Sequence, residues 1–156
     1  MPNVKLRGNL HFTFEAGRRP ISTKVIDILT TNIFADKSYG AELQEHIDNN
    51  VIAMNATNIA NIIYLSAKDN VKLNSEQLTV FANRLARKHV VLNKIDVSKM
   101  LYGFRARSDS DPSVKKFLKV LTQQVIASRS LILDGQGVGN SLYGMQGMTA
   151  ESEEVR

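Results

Sequence analysis

No cysteine occurs in the chain. That absence excludes a disulfide scaffold and any thiolate metal site, and it suits a reducing compartment. Long hydrophobic runs are missing too. Nothing approaches the roughly 18 consecutive apolar residues of a membrane span, and Lys5, Arg7 and Gly8 interrupt the short apolar pairs near the N-terminus that a signal peptide would join. A soluble, cytoplasmic chain with no membrane partner is therefore expected. Without an export signal, the sequon Asn55-Ala56-Thr57 reads as a helix cap.

Catalytic constellations are equally scarce. His11, His46 and His89 stand far apart with no HxxxH or HExxH spacing, so each reads as a surface or packed histidine and no metal ligand is expected. Gly135, Gly137 and Gly139 suggest a phosphate loop, but the sixth position of GxGxxG is Asn140 and no strand precedes it, which makes the stretch a turn between helices. Ser98 and Ser141 have no histidine near them in sequence. No enzyme and no cofactor are expected.

What the chain does have is one stretch written more than once. Asp96-Val-Ser-Lys-Met-Leu-Tyr-Gly-Phe-Arg-Ala-Arg107 returns 41 residues later as Gly137-Val-Gly-Asn-Ser-Leu-Tyr-Gly-Met-Gln-Gly-Met148, and Asn58-Ile-Ala-Asn-Ile-Ile-Tyr-Leu-Ser-Ala-Lys-Asp69 precedes it by 38. A unit of that length cannot bury its apolar face without neighbours, so the pattern predicts an all-α solenoid of antiparallel helix pairs. The expected units are a cap over 1–19, a divergent repeat over 20–55, repeats over 56–93 and 94–134, and a partial repeat over 135–156.

The cap is expected to be extended or a short hairpin, because Val4, Leu6, Leu10, Phe12 and Phe14 fall at even spacing; a helix is the alternative. Ser22 should cap a helix carrying Val25, Ile26, Leu29 and Ile33, followed by a second helix from Ala41 to Asn50 with Leu43 and Ile47 inward. The next pair is expected over 57–68 and 76–88, with Ser75 as N-cap and Leu78, Phe81 and Leu85 buried. The third spans 96–106 and 113–129, opened by Asp111-Pro112, with Leu118, Leu121 and Val125 inward. A last helix over 137–147 stands without its partner. Either the chain is a piece of a longer array or that helix leaves an apolar flank that invites self-association.

Val97, Met100, Leu101 and Phe104, and after them Val138, Ser141, Leu142 and Met145, share one helical face and read as core. Gly103 and Gly144 cost a helix roughly 1 kcal/mol each against Ala, so their recurrence suggests close approach of neighbouring helices. Tyr64, Tyr102 and Tyr143 form a second column on the outer face, each three residues after a polar position that changes: Asn61, Lys99, Asn140. The column Ala67, Arg105, Gln146 varies likewise.

Charge is uneven. Residues 21–55 carry a net −3, 56–94 a net +4 and 95–135 a net +3. Arg84, Arg87 and Lys88 on one second helix, and Lys115, Lys116 and Lys119 on the next, are the cations placed to meet phosphate or an acidic protein surface. A fixed aromatic beside variable amides and cations is what a reader of single-stranded RNA needs, the ring stacking on a base and the polar group bonding its edge. The same columns also suit tyrosines packed between helices with merely solvated polar neighbours.

Asn58-Ile-Ala-Asn-Ile-Ile-Tyr-Leu-Ser-Ala-Lys68 resembles the first helix of octotricopeptide-type repeats, and Val138-Gly-Asn-Ser-Leu-Tyr-Gly-Met-Gln-Gly-Met148 is similar to a related repeat of large bacterial proteins, some from intracellular pathogens. The resemblance covers 56–156 well and 20–55 weakly. It implies helix pairs of about 38 residues, organellar RNA metabolism and single-stranded RNA as partner, with an organelle or a host cell as further settings. Tyr stands where that family commonly has Trp, and no nuclease-like segment accompanies the repeats. The rival expectation is a protein-interaction scaffold, an adaptor or translocated effector, that engages an acidic partner or its own copy.

Overall fold

The structure is a computed structural model that describes residues 21–87, 90–128, 131–149 and 152–155. The expected N-terminal cap over 1–19, with His11, lies outside the described residues, as do Lys88 and His89. Among the described residues there are seven α-helices and no strand: α1 Thr23–Ala35, α2 Ala41–Asn50, α3 Ala56–Lys68, α4 Ser75–Leu85, α5 Lys94–Tyr102, α6 Pro112–Ala127 and α7 Gly135–Gly144. A 3₁₀ turn, Val51–Ala53, extends α2.

Local chemistry starts most of these helices. Ser22 accepts from the Val25 amide at 3.2 Å, and Asp111 accepts from the Ser113 amide at 2.9 Å with Pro112 in the first turn. Asn55 and Asn93 each close a capping box, Asn55 with Asn58 and Asn93 with Asp96. A box satisfies amides at the helix start that have no partner inside the helix. The cap of α4 is Asn74, one residue before the Ser75 that the sequence suggests; its side chain accepts from the Gln77 amide and the Gln77 side chain accepts from the Asn74 amide, which leaves Ser75 as the first helical residue. Asn93→Ala should cost about 1 kcal/mol, measured as a lower urea midpoint at unchanged slope.

The helices pack in two rows. In one, α1 lies against α3, α3 against α5 and α5 against α7; in the other, the 3₁₀ turn lies against α4 and α4 against α6. This is a small array of helix pairs. Its core is a single cluster that runs from Ile26 on α1 to Leu121 on α6, with Ile59, Phe81, Met100, Phe104 and Phe117 fully covered. The expected inward residues Leu43, Ile47, Leu78, Phe81, Leu85, Leu118 and Leu121 are all buried. Val125 is only partly so.

Four helices end earlier than their periodicity suggests: α4 at Leu85, α5 at Tyr102, α6 at Ala127 and α7 at Gly144. In α5 the reason is visible. Gly103 caps the helix, and the chain turns so that Phe104 meets Phe117 of α6 edge-on, with ring centroids 5.1 Å apart. Both glycines do mark close approach. A Cβ on Gly103 would overlap the Ile63 side chain, and one on Gly144 would overlap the Leu101 backbone.

The last helix departs from expectation in a second way. Val138 and Leu142, which read as core, are 44% and 66% exposed, while Ser141 and Gly144 are buried. α7 thus docks on α5 through its small residues, and the face that bears Val138 and Leu142 has no helix of the described residues over it. Val25 and Leu29 of α1 are likewise partly exposed.

Candidate functional site

The first-row helices carry their tyrosines at one level. Tyr64 on α3, Tyr102 at the end of α5 and Tyr143 on α7 form a continuous stack, with centroids 5.2 Å and then 5.6 Å apart. Tilted pairs at this distance add roughly 0.5–1.5 kcal/mol each beyond the area they bury. Cations line the stack: the Lys68 and Lys99 ammonium groups are each 5.6 Å from the Tyr64 centroid, and the Arg105 guanidinium is 5.4 Å from that of Tyr102. Cation and ring quadrupole attract at such range.

The variable polar column is partly bonded to itself. Lys99 donates to Asn61 Oδ1 at 2.7 Å, and Asn61 donates to Asp27 Oδ1 at 3.2 Å, so α1, α3 and α5 are linked by one polar chain. Below it, Asn58 donates to Asp27 at 2.8 Å and Thr57 donates to Asp96 at 3.0 Å. Burial raises the Asp96 pKa, and the bonds from Asn93 and Thr57 together with the charge of Lys99 act against that rise.

Arg105 and Arg107 serve the fold as well. Arg105 donates to the Ala67 carbonyl at the end of α3 and to Asn70 Oδ1 at 3.3 Å. Arg107 donates to the Leu73 carbonyl and sits 3.8 Å from Asp111. Carbonyls at a helix end have no intrahelical partner, so a cation there both bonds them and balances the negative end of the dipole. Both bonds use Nη2. The Arg105 Nε and Nη1 donors make no hydrogen bond to protein among the described residues.

Two shallow cavities flank the tyrosines. One, of about 400 Å³, is lined by Ala67, Asn70, Val71, Lys72, Gly103, Arg105, Ala106, Arg107, Tyr143 and Gln146. Among the described residues its wall holds three cations, two amides and one ring, and no carboxylate. The other, of about 300 Å³, lies at the starts of α5 and α7 and is lined by Tyr64, Lys94, Ile95, Ser98, Lys99, Leu133, Asp134, Gln136, Gly137 and Asn140. Here the Lys94 ammonium is 3.8 Å from Asp134.

Of the residues singled out from sequence, Asn61, Tyr64, Lys99, Tyr102 and Arg105 meet directly, and Asn140, Tyr143 and Gln146 line the two cavities. The second-row cations do not join them. Lys115, Lys116 and Lys119 are exposed on α6, Arg87 is exposed just after α4, and none of them lines either cavity. Arg84 donates through Nε to the Met54 carbonyl at 2.9 Å, and burial, then the charge of Arg87, lowers its pKa. Forty residues after Arg84, Gln124 donates to the Leu85 carbonyl at 2.8 Å and ties the end of α4 to α6.

Sequence reasoning passed over Lys68, Lys72 and Arg107. Lys68 was legible, four residues beyond Tyr64 on the same helical face. Lys72 and Arg107 reach the site from turns, where periodicity carries no signal. The described residues hold no cluster of three or more metal-ligating side chains and no helix long and apolar enough to cross a membrane. No protein-family model, curated protein or solved structure matches the chain.

Proposed function

We propose that the chain is a non-enzymatic helical-repeat scaffold that takes single-stranded RNA along the face of α3, α5 and α7. One observation carries this reading: the cavity of about 400 Å³ joins Lys72, Arg105 and Arg107 to the amides of Asn70 and Gln146 beside Tyr143, with no acid among the described residues of its wall. Cations suit a phosphate, amides suit a base edge, and Tyr143, 46% exposed at the end of the stack, offers a ring. The repeat of 38 to 41 residues in the sequence would set the spacing of further contacts along the row.

The test is equilibrium binding to a randomised single-stranded RNA pool, titrated with salt and sequenced after selection. Tyr143→Ala should weaken binding about tenfold through lost stacking. Lys72→Gln should lower the salt slope by about 0.7, one phosphate contact on a single strand. Binding that disappears at about 0.15 M salt, or that ignores both substitutions, rejects the proposal.

A second reading has its own support. Asn61, Lys99 and Arg105 already bond within the protein, as a structural ladder would, and Lys115, Lys116 and Lys119 stand exposed on the other row. A protein scaffold that engages an acidic partner through α6 would lose that partner on neutralisation of these three lysines and would tolerate Tyr143→Ala.

A further inference from the structure

The exposed face of α7 has a template inside the same chain. Ile63 of α3 receives Gly103, and Leu101 of α5 receives Gly144. Leu101 and Leu142 are related by the same offset of 41 that relates Gly103 to Gly144, and Val97 and Val138 share it. Val97 is 3% exposed, whereas Val138 and Leu142 are 44% and 66% exposed. Tyr102 has a ring on each side, Tyr64 and Tyr143, while among the described residues Tyr143 has a ring on one side only. The outer face of α7 therefore repeats the surface on which α3 and α5 each accept a helix.

What such a surface accepts is a helix with a small residue at the contact, and α7 itself supplies one. Gly135 and Gly139 lie on the same side as Val138 and Leu142, at spacings of three, four and seven residues. A Cβ at either glycine would meet nothing within 4 Å. One face thus carries both the knobs, Val138 and Leu142, and the hollows, Gly135 and Gly139. A face complementary to itself is the requirement for an isologous two-fold contact. Charge permits it: residues 135–149 include no Asp, Glu, Lys or Arg, so two copies of a chain of net charge +5 can meet here without opposing like charges.

We propose that this protein forms a two-fold dimer through α7, packed antiparallel on the α7 of a second copy, with Leu142 of each seated against Gly135 and Gly139 of the other. A single helix pair buries less than the roughly 800 Å² per partner of a standard interface, which suits a weak, reversible dimer. The proposal does not depend on the RNA reading.

Sedimentation velocity of the full chain from about 5 µM to about 500 µM tests it. A monomer–dimer equilibrium is expected. Leu142→Glu should raise the dimer dissociation constant about a hundredfold or more, because each copy would bury an unpaired carboxylate against Gly135 and Gly139 of the other. Its helical circular dichroism should stay unchanged, since Leu142 is mostly exposed. The absence of cysteine gives a second readout: Gly139→Cys, placed near the two-fold axis, should form a disulfide-linked pair under mild oxidation, and Thr31→Cys, exposed on α1, should not. A monomer at every concentration overturns the proposal. So does a dimer that Leu142→Glu leaves intact, or a series of oligomers that grows with concentration, which would mean head-to-tail contact.

Discussion

Gly144→Ala is expected to lower the stability of the α7 docking by about 3 kcal/mol or more, at the upper end of what overpacking costs. The added methyl would fall on the Leu101 carbonyl and against the Tyr102 Cα. Both are backbone atoms of a packed helix, so no rotamer change relieves the overlap and α7 must shift as a body. Gly139→Ala, five residues earlier in the same helix, should do the opposite. Nothing of the same chain lies within 4 Å of that position, and alanine there stabilises the monomer by about 0.5–1 kcal/mol through helix propensity alone. Hydrogen exchange of the α7 amides reads both. Equal protection in the two variants would mean that α7 does not pack on Leu101.

The second large effect is one of acid. His46 on α2 is buried against α1, bonded to Thr30 Oγ1 at 2.8 Å and to Asn50 Nδ2 at 2.9 Å. Burial lowers its pKa from 6.5 to about 4. The folded chain thus resists a proton that the unfolded chain takes up near 6.5, so the contribution is full above that pH. It is lost as pH falls from about 6.5 to about 4 and is constant below. The difference corresponds to on the order of 3 kcal/mol. Asp111, whose pKa is lowered by the bond from Ser113, adds a loss in the same direction at still lower pH. Asp96 opposes both, because burial raises its pKa and folding then gains as it protonates. Urea midpoints measured from pH 7 to pH 4 should fall in the wild type and stay nearly level in His46→Gln between pH 6.5 and pH 4. A slope that survives the substitution would assign the acid sensitivity to another group.

The helix pairs were legible because their signals are local. Ser22, Asn55 and Asp111-Pro112 announce helix starts within one turn, and the stripes Leu43–Ile47 and Leu78–Phe81–Leu85 show which side turns inward. The recurrence of Gly103 and Gly144 pointed to close helix contacts, and the overlaps at Ile63 and Leu101 have that cause. The ends of α5 and α7 were not legible. An apolar residue at helical spacing, such as Phe104, fills the core equally well from a turn. Nor could spacing reveal that Lys99 reaches Asn61, or that Arg105 reaches the Ala67 carbonyl, because each partner lies 38 residues away.

By itself the sequence determined the all-helical class, the order of the helices and the identity of the tyrosine and polar columns, since caps, periodicity and offsets are properties of the chain within a few turns. Tertiary structure alone decided what those columns touch. It stacked the tyrosines on one another, spent several of the variable donors inside the protein and gathered Lys72, Arg105 and Arg107 around one cavity. It also left Val138 and Leu142 in the open. Whether an apolar residue is covered depends on the presence of a neighbouring helix, and no local pattern encodes that.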